Sequence, residues 1–290
     1  MSAVMRFWLV AAIFCIFLLP RPASASDRPA VGPVPAWVEP IALPRAPAPT
    51  SDVPVRILLN DEQVYVENGR KSVYVRFAVR VETPQGLAVG NLSFPWRPET
   101  DTPVVHSLLI RRGDQVIDVL ASGQTFTVLR RETNLERATL DGVLTASIQP
   151  EGLQVGDIID FALTIETGDP VFNGHVEHVG ADANGLPIDL VRFRMSWPDA
   201  IDMRLRGAGD IVVPPVRTSG NRRSIEIVQR DLAVLTAPNG APQRYQAGRY
   251  IEATDYPNWE PLGTLMTPLS EPAPPLPADR ALHAALDRLR

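Results

Sequence analysis

Four histidines, His106, His175, His178 and His283, are the side chains best suited to proton transfer or metal binding near neutral pH. Two of them fall close together in Gly174-His175-Val176-Glu177-His178. On one helical face that spacing could supply two imidazole ligands, with Glu177 or Asp182 completing the set. The spacing is not the HExxH of zinc proteases. Gly174 before and Gly180 after predict a loop or strand end, and on a strand positions three apart face opposite sides. His175 and His178 are therefore the metal-ligand candidates, and a polar loop between strands is their expected role.

The remaining reactive groups are sparse. Lys71 is the sole lysine and follows an Asn-Gly pair, so a solvated hairpin end is expected rather than Schiff-base chemistry. Asp157, Asp160, Asp169, Asp182 and Asp189 are numerous enough for a carboxylate pair, but acid–base work needs two carboxyls held across a cleft. Asp160 and Glu166 fall on the polar face of an expected strand, which predicts solvation; Asp157 follows Gly156 and should shape a strand entry. No GxSxG elbow and no strand-linked GxGxxG occurs. Trp96, Trp197 and Trp259 could form a platform for a sugar. Trp197 lies on an apolar strand face and should be core, leaving Trp96 and Trp259 as candidate ligand or interdomain contacts. We expect no catalytic and no cofactor-binding residue in this chain.

The elements that would hold these residues are mostly strands. Val73, Val75, Phe77, Val79 and Val81 alternate with Tyr74, Arg76, Ala78, Arg80 and Glu82. Period two predicts one buried and one wet face. Asn68-Gly69 tolerates positive φ and should join this strand to Gln63–Glu67 in a tight hairpin. Similar alternation covers 157–166, 191–197 and 201–206, with shorter candidates at 53–59, 88–94, 104–111, 116–120, 125–131, 144–149 and 225–227. Many short strands with regularly spaced turns predict an antiparallel β-sandwich over residues 55–256.

The flanks read differently. Phe7 to Leu19 is an apolar run of 13 residues after Arg6, and Ala23-Ser24-Ala25 gives a small-x-small end. That pattern predicts a signal peptide over 1–25, cleaved after Ala25, and a periplasmic or otherwise exported chain with no stable transmembrane span. Cys15 lies inside the leader behind Phe14, so lipidation is not expected, and the mature chain would have no thiol. Loss of Arg6 and Arg21 leaves 26 basic against 33 acidic residues, net −7, with no basic stripe to suit nucleic acid. Residues 26–54 hold eight prolines and should form an extended arm, pinned by Trp37 and Ile41. Residues 257–277 should hold a short helix capped by Asn258, then a proline-rich linker. Residues 278–290 start another helix, capped by Asp279, with Leu282, Ala285, Leu286 and Leu289 on one stripe.

The order of four stretches resembles domain-of-unknown-function family 3857, the β-rich domain found before transglutaminase-like (papain-like cysteine) domains of bacterial envelope proteins. They are the hairpin 63–83, Gly156-Asp157-Ile158-Ile159-Asp160-Phe161, Pro187 to Pro198, and Asp255-Tyr256-Pro257-Asn258-Trp259-Glu260-Pro261-Leu262. The resemblance implies a noncatalytic accessory module that scaffolds, or presents substrate to, a following transglutaminase-like domain. The mature chain lacks the cysteine of that domain's triad, so any acyl transfer or hydrolysis would belong elsewhere. Two other readings stand beside it: a self-sufficient module binding envelope glycan or peptide, and a metal-dependent hydrolase centred on His175 and His178.

Overall fold

The computed structural model describes residues 28–130, 142–180, 187–235, 240 and 248–270. The leader with Cys15, Asp182, most of the second proline-rich stretch and the expected helix with Asp279 and His283 lie outside the described residues. The strands are β1 (Ala30–Val31), β2 (Val55–Glu67), β3 (Arg70–Val81), β4 (Leu92–Trp96), β5 (Asp101–Arg112), β6 (Gln115–Asp118), β7 (Thr127–Arg130) and β8 (Leu144–Ile148). They continue with β9 (Ile158–Thr167), β10 (Glu177–Gly180), β11 (Ile188–Pro198), β12 (Arg204–Ala208), β13 (Arg217–Ser219), β14 (Arg222–Leu232) and β15 (Tyr250–Thr254). A helix follows, α1 (Trp259–Ser270). The chain is mainly β and sandwich-like, in several sheets, with no closed barrel among the described residues.

The strands are shared between two units of the chain. Among the described residues, the first comprises 28–36, 47–55, 77–130 and 142–166. Its larger sheet runs β1-β5-β9-β3, with β6 also on β5, and its smaller one runs β4-β8-β7. Phe161 of β9 meets Phe94 of β4 at 6.3 Å, Phe77 at 5.4 Å and Phe126 at 6.1 Å between ring centres. This aromatic cluster fills the space between the two sheets, where such pairs add to the free energy of burial.

Among the described residues, the second unit comprises 37–46, 56–76, 167–180, 187–235, 240 and 248–270. Here the larger sheet is β3-β2-β11-β14-β13 and the smaller is β10-β15-β12. Val64, Phe193, Met195, Trp197 and Ile225 of the first pack with Ile251 and Ala253 of the second in one buried cluster. Trp197 is core, as its alternation required, and full burial of a large apolar side chain stabilises the fold by roughly 1.5–3 kcal/mol.

The turns follow from single residues. Asn68 and Gly69 adopt φ of 51° and 69°, the left-handed pair of a two-residue hairpin. A Cβ on Gly69 would also lie 2.8 Å from Gly174 Cα, so the position demands glycine twice over. Residues 88–94, expected as a strand, are mostly not one. Pro84–Gly90 forms a 3-10 turn started by its proline, and only Leu92–Trp96 extends. The run 201–206 likewise becomes a strand only from Arg204, because Ile201 N closes a turn onto Pro198 O at 3.1 Å.

Three expectations change. The pairing is not uniformly antiparallel: β11 runs parallel to β2, and β1 to β5. Parallel neighbours need a long crossover, and more than a hundred residues separate β2 from β11. The second face of β3 is not wet, since Tyr74, Ala78 and Arg80 are buried beside Val79 and Val81. Asp160 is not solvated either; it is 1% exposed and accepts from Arg111 Nε at 2.9 Å.

The proline-rich arm explains part of this. Its prolines offer carbonyls without amide donors, while sheet arginines offer donors without acceptors. In the second unit Arg76 donates to Ile41 O at 3.0 Å, Gln63 Nε2 donates to Glu39 O at 2.8 Å, and Trp37 stacks on Tyr65 at 5.3 Å. In the first, Arg80 donates to Pro47 O and Ala48 O, and Thr50 N donates to Glu82.

Asp157 shapes its strand entry as expected. It accepts from Arg112 Nε at 2.8 Å, Arg112 Nη2 at 2.7 Å and Gln154 N at 2.8 Å. Burial alone would raise its carboxyl. The Arg112 and Gln154 hydrogen bonds, with the guanidinium charge, outweigh that and hold it below the ordinary 3.8. A depressed carboxyl adds stability that is present above the unfolded-state value and disappears as pH falls through the folded one. In urea titrations from pH 6 to 3, the midpoint of Asp157→Asn should therefore fall less steeply than that of the parent below about pH 4. Parallel curves would refute the assignment.

Candidate functional site

The histidine pair is not assembled as a chelate. His175 follows the 3-10 turn Pro170–Phe172, which exits through Asn173 at a φ of 48°. Its Nδ1 lies 3.2 Å from Asp255 Oδ1, which also accepts from Val176 N at 3.0 Å. Its ring stacks on Tyr256 at 4.2 Å. His178 stands on β10 with Nε2 2.8 Å from Glu62 Oε1 and its ring stacked 6.0 Å from Phe193. Each imidazole has its own carboxylate. Among the described residues no three of His, Cys, Asp and Glu gather as a metal-ligand set. Burial, then the charges of Asp255 and Glu177, raise the Tyr256 phenol.

Lys71 ties the hairpin end to β10, its Nζ donating to Glu177 O at 2.6 Å. Beside it a small hollow of about 50 Å³ is lined by Gly69, Asp169, Phe172 and His175. It has room for little more than a water or two. Of the other carboxylates, Asp189 receives Arg56 Nε at 2.9 Å and Nη2 at 2.6 Å. Asp157 and Asp160 each face an arginine of β5, so neither belongs to an acid–base pair.

The two open tryptophans separate. Trp96 is 2% exposed on β4 and packed 5.9 Å from Phe94, so only a sliver of its ring is open to a ligand. The alternation Leu92, Phe94, Trp96 carries it inward. Trp259 is 83% exposed at the start of α1. Asn258 caps that helix, its Oδ1 accepting from Glu260 N at 2.9 Å. Leu262, Leu265, Met266 and Leu269 follow Trp259 at helical spacing, and none of the helix's residues is buried. Short isolated helices are marginal in water and draw stability from packing an apolar face.

One concavity among the described residues escaped candidate-residue reasoning. It lies on the outer face of β4-β8-β7 and encloses about 730 Å³. Ser93 pairs with Ser147, and Ser147 with Thr127, so three hydroxyl residues form one row across three strands. Thr145 stands in the next row, between Pro95 and Leu129. A second hollow of about 550 Å³ shares Ser93 and Thr145 with the first, extending the trough toward Arg97 and Asp101. The alternation of Ser93, Thr145 and Ser147 with Leu92, Phe94, Leu144, Ala146 and Ile148 was the available signal. It shows a polar face but not its concavity.

These features define a class: an arm-strapped, multi-sheet β module with an exposed amphipathic helix after its last strand. The particular family follows from sequence. Residues 67–236 match the "Domain of Unknown Function with solved-structure structure (DUF3857)", and the chain belongs to that family. No curated protein matches the chain. Among solved structures, that of a "putative protease" from Parabacteroides distasonis is similar with a TM-score of 0.62 at 13% identity, over 70% of this chain and 41% of that one. An M1 zinc metallopeptidase from Deinococcus radiodurans aligns at 12% identity over 68% and 42% of the two chains, with a TM-score of 0.35. The chain thus spans about two fifths of the length of these structures. At such identities the first likeness bears on the fold alone, and the second carries no argument. Among the described residues no helix is long and apolar enough to cross a membrane.

Proposed function

We propose that this chain is an exported, noncatalytic module of the cell envelope that supports a neighbouring transglutaminase-like domain through α1. The observation that carries the reading is the helix itself: Trp259, Leu262, Leu265, Met266 and Leu269 share one apolar surface, on which Trp259 and Leu269 are exposed and the other three only half-buried. A partner domain on that face would complete the burial of the helix. Membership of the family and the sequence order of its motifs support the same placement. The His175 and His178 environments supply a carboxylate to each ring and no nucleophile, which favours a structural role.

Hydrogen–deuterium exchange tests it. In a chain carrying a transglutaminase-like domain after residue 290, residues 259–270 should exchange at least about tenfold more slowly than in residues 26–290 alone. That corresponds to about 1.4 kcal/mol of added protection. Leu262→Asp combined with Leu269→Asp should abolish the difference. Equal exchange in the two chains would overturn the docking role. Hydrolysis of a peptide or ester panel by residues 26–290 alone would overturn the noncatalytic one.

A further inference from the structure

We infer that the trough on β4-β8-β7 is a binding site for a neutral, hydroxyl-rich ligand of the oligosaccharide class. The inference is independent of the role proposed for α1.

Its grounds are the chemistry of the lining and its spacing. Ser93, Ser147 and Thr127 place hydroxyl side chains on adjacent strands, which lie about 4.7–4.9 Å apart. Thr145, Gln149 and Asn91 extend the same surface with another hydroxyl and two amides. Hydroxyls and amides both donate and accept. A surface built from them suits a ligand whose own groups also do both, at short regular intervals, as the hydroxyls of a sugar chain do.

The alternatives fit less well. Among the described residues no lysine or arginine lines the 730 Å³ hollow, whose one ionisable group is the Glu151 carboxylate, and in the adjoining hollow Arg97 is offset by Asp101, so an anionic ligand would meet no net positive charge. One carboxylate is too few for a cation site of oxygen ligands. Leu92, Leu129 and Ile148 contribute little apolar surface, which argues against an apolar or lipid ligand. The volume lies within the range of small-molecule sites and is sufficient for several sugar rings in an open trough. The strands supply a rigid base: the opposite face of the sheet carries Phe94, Trp96, Leu144 and Ala146, all buried, so the hydroxyl row is fixed by packing beneath it. With so much of the site open to water, weak affinity is expected.

Isothermal titration of the mature chain, residues 26–290, with cellotetraose and chitotetraose provides the test. At least one should bind with a Kd below about 1 mM. The double variant Thr145→Val and Ser147→Ala keeps residue volume close to the original, and should weaken binding tenfold or more with an unchanged unfolding midpoint. Thr127→Val is the second variant, should the first unfold; it lies on the edge strand and removes one hydroxyl. Tetragalacturonate, a sugar chain with carboxylates, should bind more weakly than either neutral probe. Leu262→Asp in α1 should leave binding unchanged. No binding of either neutral probe at several millimolar, equal affinity in the folded variants, or preference for tetragalacturonate would overturn the assignment.

Discussion

Asp61→Ala is expected to destabilise the protein by about 3–5 kcal/mol, a large part of the stability of an ordinary domain. Asp61 on β2 is 1% exposed and stands in register with Arg192 on β11, itself 4% exposed. The pair is bidentate, with Arg192 Nε on Oδ1 at 2.7 Å and Nη2 on Oδ2 at 2.9 Å. Gln63 Nε2 donates to the same carboxylate at 3.1 Å. Burial by itself would make the guanidinium easier to deprotonate. The hydrogen bonds and charge of Asp61, with Glu226 and Glu39 further off, reverse that and hold its pKa above the ordinary arginine value. Removing Asp61 leaves a buried guanidinium that cannot neutralise and has only the more distant Glu226 and Glu39 to offset it. Replacing both partners, as Asp61→Leu with Arg192→Met, should recover most of the loss, because the uncompensated charge is the main cost. Urea unfolding at pH 7 measures both. A single-variant loss under about 1 kcal/mol, or a double variant less stable than the single, would contradict this account.

Deleting residues 26–49 should cost more than about 3 kcal/mol, although the deletion removes no buried β-strand. The arm's carbonyls at Glu39, Ile41, Pro47 and Ala48 accept from Arg192, Arg76 and Arg80. Each hydrogen bond to a charged donor is worth roughly 1.5–3 kcal/mol, and Arg80 and Arg192 are buried where a lost acceptor is costly to replace. Trp37 also leaves the face of Tyr65, on whose ring Arg222 lies at 3.8 Å. Thermal and urea unfolding of the shortened chain would show a lowered midpoint. An unchanged midpoint would mean that the arm merely rests on the surface.

The strands are legible where apolar and polar residues strictly alternate. Val191, Phe193, Met195 and Trp197 read as a core strand and are one. Asn68-Gly69 reads as a tight hairpin, and its two positive φ values make it one. Period two assigns residues to a shared face but does not say whether that face is covered. Arg80 and Asp160 look like wet polar positions in sequence, because a buried ion pair and two solvated ions have the same composition. Trp96 reads as open for the same reason, although its strand alternation points inward. The hydroxyl row of β4-β8-β7 is hidden for a different one. Ser93, Thr127 and Ser147 come from three separate strands, and only register brings them side by side.

The hydrogen bond between Arg192 and Glu39 joins residues 153 positions apart. At the usual pace of about 5–20 residues per second, the arm is synthesised roughly 8–30 s before its arginine exists. Through that interval β2 has no β11 to pair with, and a bare strand edge invites pairing with other chains. Loop closures of this span also slow folding. The strap that finishes the native protein is therefore made first and fastened late. The hazard for this chain lies in the waiting, more than in the stability finally reached.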